Sequence, residues 1–183
     1  MTNRRRALPV ACLLVAVGLA PARIAAAQNC NATTPAGTCT ASTTTTMTAG
    51  TVLELSLSAG ATVLTPPGTA NYDAGFVADN GPTATVRSNR AWTLRIAAGA
   101  ATWTATNTTA GVTARANKPA ADLQWSTSPA GPFAGVTVAG ATLATGNATG
   151  GATTTLSFRT LYDWALDTPG AYSLVVRLTL SAP

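Results

Sequence analysis

Residues 167–183 read DTPGAYSLVVRLTLSAP, and the alternation within them decides the fold class. Tyr172, Leu174, Val176, Leu178 and Leu180 fall on one face of an extended chain. Ser173, Val175, Arg177, Thr179 and Ser181 fall on the other, because side chains alternate across a strand with period two. A strand with one strongly apolar face must bury it, so this segment is expected to close a sheet near the middle of a sandwich. Arg177, central on the opposite face, is expected to meet water or a partner, since an unpaired buried charge is costly.

The same period recurs toward the N-terminus. TVLELSLS (51–58) sets Leu53, Leu55 and Leu57 against Glu54 and Ser56. AWTLRI (91–96) sets Trp92, Leu94 and Ile96 against Thr93 and Arg95. ATWTAT (101–106) alternates around Trp103, DLQWS (122–126) points Leu123 and Trp125 to one side, and TTTLSFRTL (153–161) opposes Leu156 and Phe158 to Ser157 and Arg159. TATVRS (83–88) follows DNGP (79–82), whose Asp79-Asn80-Gly81 is a strong turn signal. TPPGTAN, NKPAA, SPAGP, TGNATGG and DTPG carry turn chemistry between the other segments. Glu and Lys occur once each, and Ala sits beside Gly and Thr without a helical apolar stripe. The chain therefore reads as all-β. Short strands separated by Gly/Pro turns fit an immunoglobulin-like antiparallel β-sandwich of roughly 8–10 strands. DTPGAY has the pattern of a tyrosine corner, with Tyr172 turned back to the preceding loop; the alternative is a Tyr172 simply half-buried in its strand.

Three parts are expected along the chain. Arg4–Arg6, the apolar stretch from Leu8 to Ala20 and Ala25-Ala26-Ala27 make residues 1–27 a secretory signal peptide, too short in its apolar part to span a bilayer comfortably. No Ser or Thr stands immediately before the arginines and no Phe follows them closely, so the twin-arginine signal is weak. Cys12 lies inside the apolar stretch rather than behind it, which argues against a lipid anchor. Residues 28–50 form a Thr-rich segment in which Cys30 and Cys39, separated by NATTPAGT, are expected to close a disulfide loop. Metal binding by two cysteines without a histidine is the weaker option. Residues 51–183 form the β-sandwich domain, large enough for a hydrophobic core and without a second long apolar run that could cross a membrane. The full chain has 11 Lys and Arg against 6 Asp and Glu, but four of the arginines lie within the leader, leaving a balance of about +1. Nucleic acid is not an expected partner.

Histidine is absent, which removes Ser-His and Cys-His nucleophile pairs and histidine metal sites. Asp163 and Asp167 in YDWALD, and Asp73 and Asp79 around AGFVA, are conceivable carboxylate pairs, but acids in turn-rich stretches usually cap or turn the chain. Asp73, Asp79 and Asn80 do not have the spacing of a calcium loop. No catalytic residue, metal or cofactor is expected. The tryptophans are the stronger signal, since exposed aromatics on a β scaffold can stack on sugar rings. Candidate ligand-binding residues are Trp164 and Tyr162, between two strands, with Trp92, Leu94 and Trp103. Against this, Trp92 and Trp125 each pair at i+2 with an apolar neighbour, the pattern of core residues, and Trp164 in a loop can equally fold over the end of the core.

VRSNRAWTLRI (86–96) resembles the first tryptophan motif of bacterial WxL cell-surface domains: Asn89-Arg90, then Trp92-Thr93-Leu94 on a strand. PGAYSLVVRLTLSAP (169–183) is similar to the close of the same domains. The family carries its second Trp-x-Leu in that last strand; here Arg177-Leu178-Thr179 stands there, and Trp164-Ala165-Leu166 comes before Tyr172. The ending also resembles exported β-sandwiches of the spore-coat-U and fimbrial-subunit kind. These resemblances imply a non-catalytic, secreted protein of the bacterial cell surface or periplasm. Its expected partners are the cell wall or an envelope glycan, or other surface proteins including copies of itself. Of the two readings, a glycan-binding module is favoured over an assembling subunit, because NATTPAGTCTASTTTTMTAG (31–50) lacks the bulky alternating residues a donated strand would insert.

Overall fold

The computed structural model describes residues 30, 31, 33 and 36–183; the leader expected over 1–27 lies outside them. The chain divides into two units, Met1–Thr48 and Ala49–Pro183. In the first, Cys30 and Cys39 are joined by a disulfide across a Cα separation of 5.7 Å. Residues 36–48 are exposed throughout and belong to no strand or helix.

The second unit is all-β and antiparallel. Its strands are β1 (Leu53–Leu57), β2 (Phe76–Ser88), β3 (Trp92–Ala98), β4 (Thr104–Thr106), β5 (Leu123–Ser126), β6 (Ala134–Gly135), β7 (Ala141–Gly146), β8 (Thr149–Leu161), β9 (Ala171–Ser173) and β10 (Val176–Ser181). One sheet has the order β1-β2-β8-β5-β6, a second β10-β3-β7, and β4 pairs with β9. The inner faces meet in a single core, to which the first sheet gives Val86, Leu123, Leu156 and Phe158 and the second Trp92, Leu94, Ile96 and Leu143. Two short helical pieces interrupt the strands: α1 (Thr69–Ala74) and a 3-10 turn at Ala120–Asp122. Gly75 closes α1 in the left-handed region at φ 78°, its amide donating to the Asn71 and Tyr72 carbonyls. Among the described residues no helix is long and apolar enough to cross a membrane.

Two sequence expectations change. Asp79-Asn80-Gly81-Pro82 is not a turn between strands but the interior of β2, where the register to β8 slips between Asn80 and Thr83. A β-bulge absorbs Gly81 and Pro82, which is how a strand accommodates a proline without an N–H. Gly81 is required there: a Cβ on it would lie 2.8 Å from both Leu156 Cβ and Phe158 Cε2. The final strand also does not lie mid-sandwich. β10 is an edge of the three-stranded sheet, paired with β3 alone in the register Val176–Ala98, Leu178–Ile96 and Leu180–Leu94. The expected alternation holds residue by residue, with Tyr172, Leu174, Val176, Leu178 and Leu180 half-buried and Ser173, Val175, Arg177, Thr179 and Ser181 exposed. The apolar face is therefore only partly covered. Tyr172 does make the corner: its hydroxyl donates to the Thr168 carbonyl at 2.6 Å and accepts from the Arg115 amide at 2.9 Å.

Candidate functional site

Three of the five candidate residues are core rather than surface. Trp92, Leu94 and Trp103 are buried, and each indole N–H is used internally, Trp92 on the Asn147 carbonyl at 2.9 Å and Trp103 on the Pro119 carbonyl at 3.0 Å. Neither Trp92 nor Leu94 has a face free for a ligand, because strand alternation at β3 turns both inward. The neighbouring Asn89 and Arg90 serve the fold. Asn89 accepts from the Val52 amide at 3.0 Å and donates to the Gly50 carbonyl at 2.7 Å, fixing the start of β1. Arg90 donates to the Pro183 carbonyl just beyond β10.

Trp164 and Tyr162 remain, and a residue that the sequence did not single out joins them. Trp164 is 60% exposed and stacks on Tyr72 of α1, with ring centroids 4.5 Å apart and an interplanar angle of 27°. Its indole N–H donates to Asp73 Oδ1 at 3.1 Å. Tyr72 is tilted against Tyr162 at 5.5 Å, so the two candidates lie on either side of it rather than against each other. The Trp164 loop is fixed by Asp163, whose Oδ1 accepts from the Ala165 and Leu166 amides at 2.7 and 3.1 Å. One face of an exposed indole is thus held in place.

Beneath this shelf lies a buried ion cluster. Lys118, the chain's single lysine, is only 1% exposed. Its Nζ donates to Asp167 Oδ1 at 2.8 Å and to the Leu161 carbonyl at 2.8 Å, lies 3.3 Å from Asp122 Oδ2, and sits 4.9 Å from the centre of the Tyr162 ring. Arg115 Nη1 reaches Asp167 Oδ1 at 3.0 Å and Asp122 Oδ2 at 3.5 Å, so two cations balance two carboxylates. Burial alone would raise the Asp167 carboxyl, but hydrogen bonds from Lys118, the Asp163 amide and Arg115, with the charge of Lys118, hold it below its ordinary value. Burial, the Tyr72 phenol and the Asp167 and Asp79 carboxylates push the Tyr162 hydroxyl up from 10.0 to about 12. All six acids have structural partners: besides Asp122, Asp163 and Asp167, Glu54 pairs with Arg87 at 3.7 Å, Asp73 holds Trp164, and Asp79 Oδ1 accepts from Thr65 Oγ1 at 2.6 Å.

The cluster forms part of the floor of an open groove of about 980 Å³. Leu57 and residues 59–67 form one wall, and Tyr172, Leu174, Val176 and Leu178 the other. Phe158 and Thr160 of β8, with Leu123 and Trp103, also line it. The groove therefore runs between β10, an edge strand, and the segment 59–67 that follows β1. Sequence reasoning found its β10 wall through period two, but not Lys118, Thr160 or Tyr72, which come from segments far apart in the chain. The lone lysine four residues before Asp122 was the available signal. Among the described residues no group of three or more His, Cys, Asp or Glu is placed to hold a metal ion. No protein-family model, curated protein or solved structure matches this chain.

Proposed function

We propose that this is an exported, non-catalytic envelope subunit that completes its sandwich by accepting a β-strand from another chain. One observation carries the reading: the C-terminal strand is an edge strand whose apolar face is not fully buried and lies beside an open groove. An edge strand offers unpaired backbone N–H and C=O groups, and an apolar wall beside it accepts alternate side chains of an added strand. The placement of β10 outweighs the sequence argument that favoured a glycan-binding module. The resemblance to fimbrial-subunit sandwiches and the disulfide, which suits an oxidising compartment, fit the same reading. The non-catalytic part is supported by the structural occupation of every acid and the absence of histidine.

The test is a heat-sensitive ladder of multimers from mature Gln28–Pro183, beside Leu174→Lys, which sets a charge in the half-buried groove wall. A ladder in the wild type that disappears in a still-folded Leu174→Lys supports strand acceptance. A wild-type chain that stays monomeric at every concentration overturns it.

A second reading keeps a specific observation of its own, the exposed indole of Trp164 pinned by Tyr72 and Asp73. A fixed aromatic face beside a carboxylate suits stacking on a sugar ring of a cell-wall or envelope glycan. Co-sedimentation with bacterial wall sacculi that Trp164→Ala weakens would support it; equal pelleting of both proteins would remove it.

A further inference from the structure

Trp164 is the most exposed aromatic residue among those described, yet its ring is anchored from behind. Tyr72 stacks on one indole face, and the Tyr72 hydroxyl donates to the Asp167 carbonyl at 3.2 Å, which ties the stack to the buried ion cluster. With that face covered, an exposure of 60% leaves the opposite face open to solvent. A ring already fixed in place loses little conformational freedom when a ligand settles on it.

The charge around this ring is one-sided. The indole N–H donates to Asp73 Oδ1, which sets a carboxylate at the edge of the ring, and Asp163 immediately precedes Trp164 in the chain. Both acids are exposed, and among the described residues neither forms an ion pair. The cations beneath the shelf, Lys118 and Arg115, are engaged by Asp122 and Asp167. The shelf therefore keeps the charges of Asp73 and Asp163 uncompensated. The face of an indole is the negative side of its quadrupole and adds to the same sign. An anion is disfavoured on such a surface, a neutral ring gains stacking alone, and a cation with an apolar body gains both terms.

The kind of cation follows from the carboxylate. Asp73 Oδ1 is taken by the indole, while Oδ2 accepts no hydrogen bond among the described residues. A primary ammonium can donate to it, whereas a quaternary ammonium has no N–H to offer. Resting on the stacking reading of Trp164 above, we propose that the shelf takes an amino sugar with a free ammonium group. The pyranose lies on the open indole face and the ammonium beside the Asp73 carboxylate. An N-acetylated sugar of the same shape keeps the stacking and loses the charge, so the site discriminates between the two.

The experiment titrates residues 28–183 with a short chitosan oligomer, whose amines are free, and with the same oligomer fully N-acetylated. Binding is read from the indole N–H resonance of Trp164, at about pH 5.5, where the sugar amines and the aspartates both carry charge. The free-amine oligomer should bind roughly tenfold more tightly than the acetylated one. Asp73→Asn keeps an oxygen for the indole N–H and removes the charge, so it should bring the two ligands to near-equal affinity. Trp164→Ala, followed by calorimetry, should lose both. Equal binding of the two oligomers by the wild type, or tighter binding of the acetylated one, would overturn the inference while leaving the stacking reading in place. A preference that survives Asp73→Asn, or binding that survives Trp164→Ala, would overturn the assignment to this shelf. If neither oligomer moves the Trp164 resonance, the stacking reading itself is lost.

Discussion

The Asp167 carboxylate sits where burial works against its charge, and Lys118 and Arg115 make that charge necessary. Replacing Asp167 by Asn leaves a lysine only 1% exposed without its closest counter-charge, a loss of about 3–5 kcal/mol for breaking a buried pair from one side. The pH dependence follows from the sign of the shift. The folded pKa lies below the ordinary 3.8, so the contribution is fully present above that value and is lost as pH falls through the lower folded one. Thermal melts from neutral pH downward should therefore show a wide gap between wild type and Asp167→Asn that narrows below about pH 4; a gap constant with pH would contradict the assignment. Tyr162 behaves in the opposite sense at the alkaline end. Its pKa is raised from 10.0 to about 12, so its contribution is intact below 10.0 and lost as pH rises toward 12. Phenolate absorbance should show a component titrating toward pH 12, and that component should be lost in Tyr162→Phe.

At the scale of the element, β2 and β10 show what periodicity can and cannot convey. Which side chains share a face is a local property, so the faces of β3 and β10 are legible directly from alternate residues, whereas Leu53 and Leu57 of β1 are exposed and Ser157 of β8 is buried beside Leu156 and Phe158. Which strand lies beside which is not local, and the same apolar face that suggests a central strand serves an edge strand here. Asp79-Asn80-Gly81-Pro82 misleads for a related reason: turn residues are also bulge residues, and only the partner strand distinguishes them. The candidate site was legible in Trp164 and Tyr162, which stand in a turn-rich segment. It was illegible in Tyr72, Lys118 and Thr160, which meet them only after folding. Gly81→Ala tests the bulge: with a Cβ 2.8 Å from Leu156 and Phe158, overpacking should cost about 1–3 kcal/mol in chemical denaturation. A variant as stable as the wild type would mean that β2 can shift away from β8 at no cost. Truncation after Pro169 tests the last strands. It removes the tyrosine corner, the partner of β4 and one of the three strands of the second sheet, so cooperative unfolding should be lost. A truncated chain that still melts cooperatively would show that β3 and β7 alone cover the core.

For the molecule as a whole, the open groove lies beside β10, between Tyr172–Leu178 and the segment 59–67 that follows β1. Leu174, Val176 and Leu178 are already mostly covered, so completing their burial would add about 0.5 kcal/mol apiece or less at the usual value for an aliphatic side chain. A strand that binds only the folded form stabilises it by mass action, and at a hundredfold excess over its dissociation constant the gain is about 2.7 kcal/mol. For a unit of this size that corresponds to a rise in Tm of roughly 10 °C. Stability and assembly should therefore be one measurement: melting residues 28–183 over a hundredfold range of concentration should move Tm upward together with the appearance of the ladder. Leu174→Lys, with a charge in the groove, should melt at a single temperature across the same range. If the wild-type Tm were equally independent of concentration while a ladder formed, the multimers would be joined at a surface other than the groove, with β7 and β6, the outer strands of the two sheets on their far sides, as the places to look.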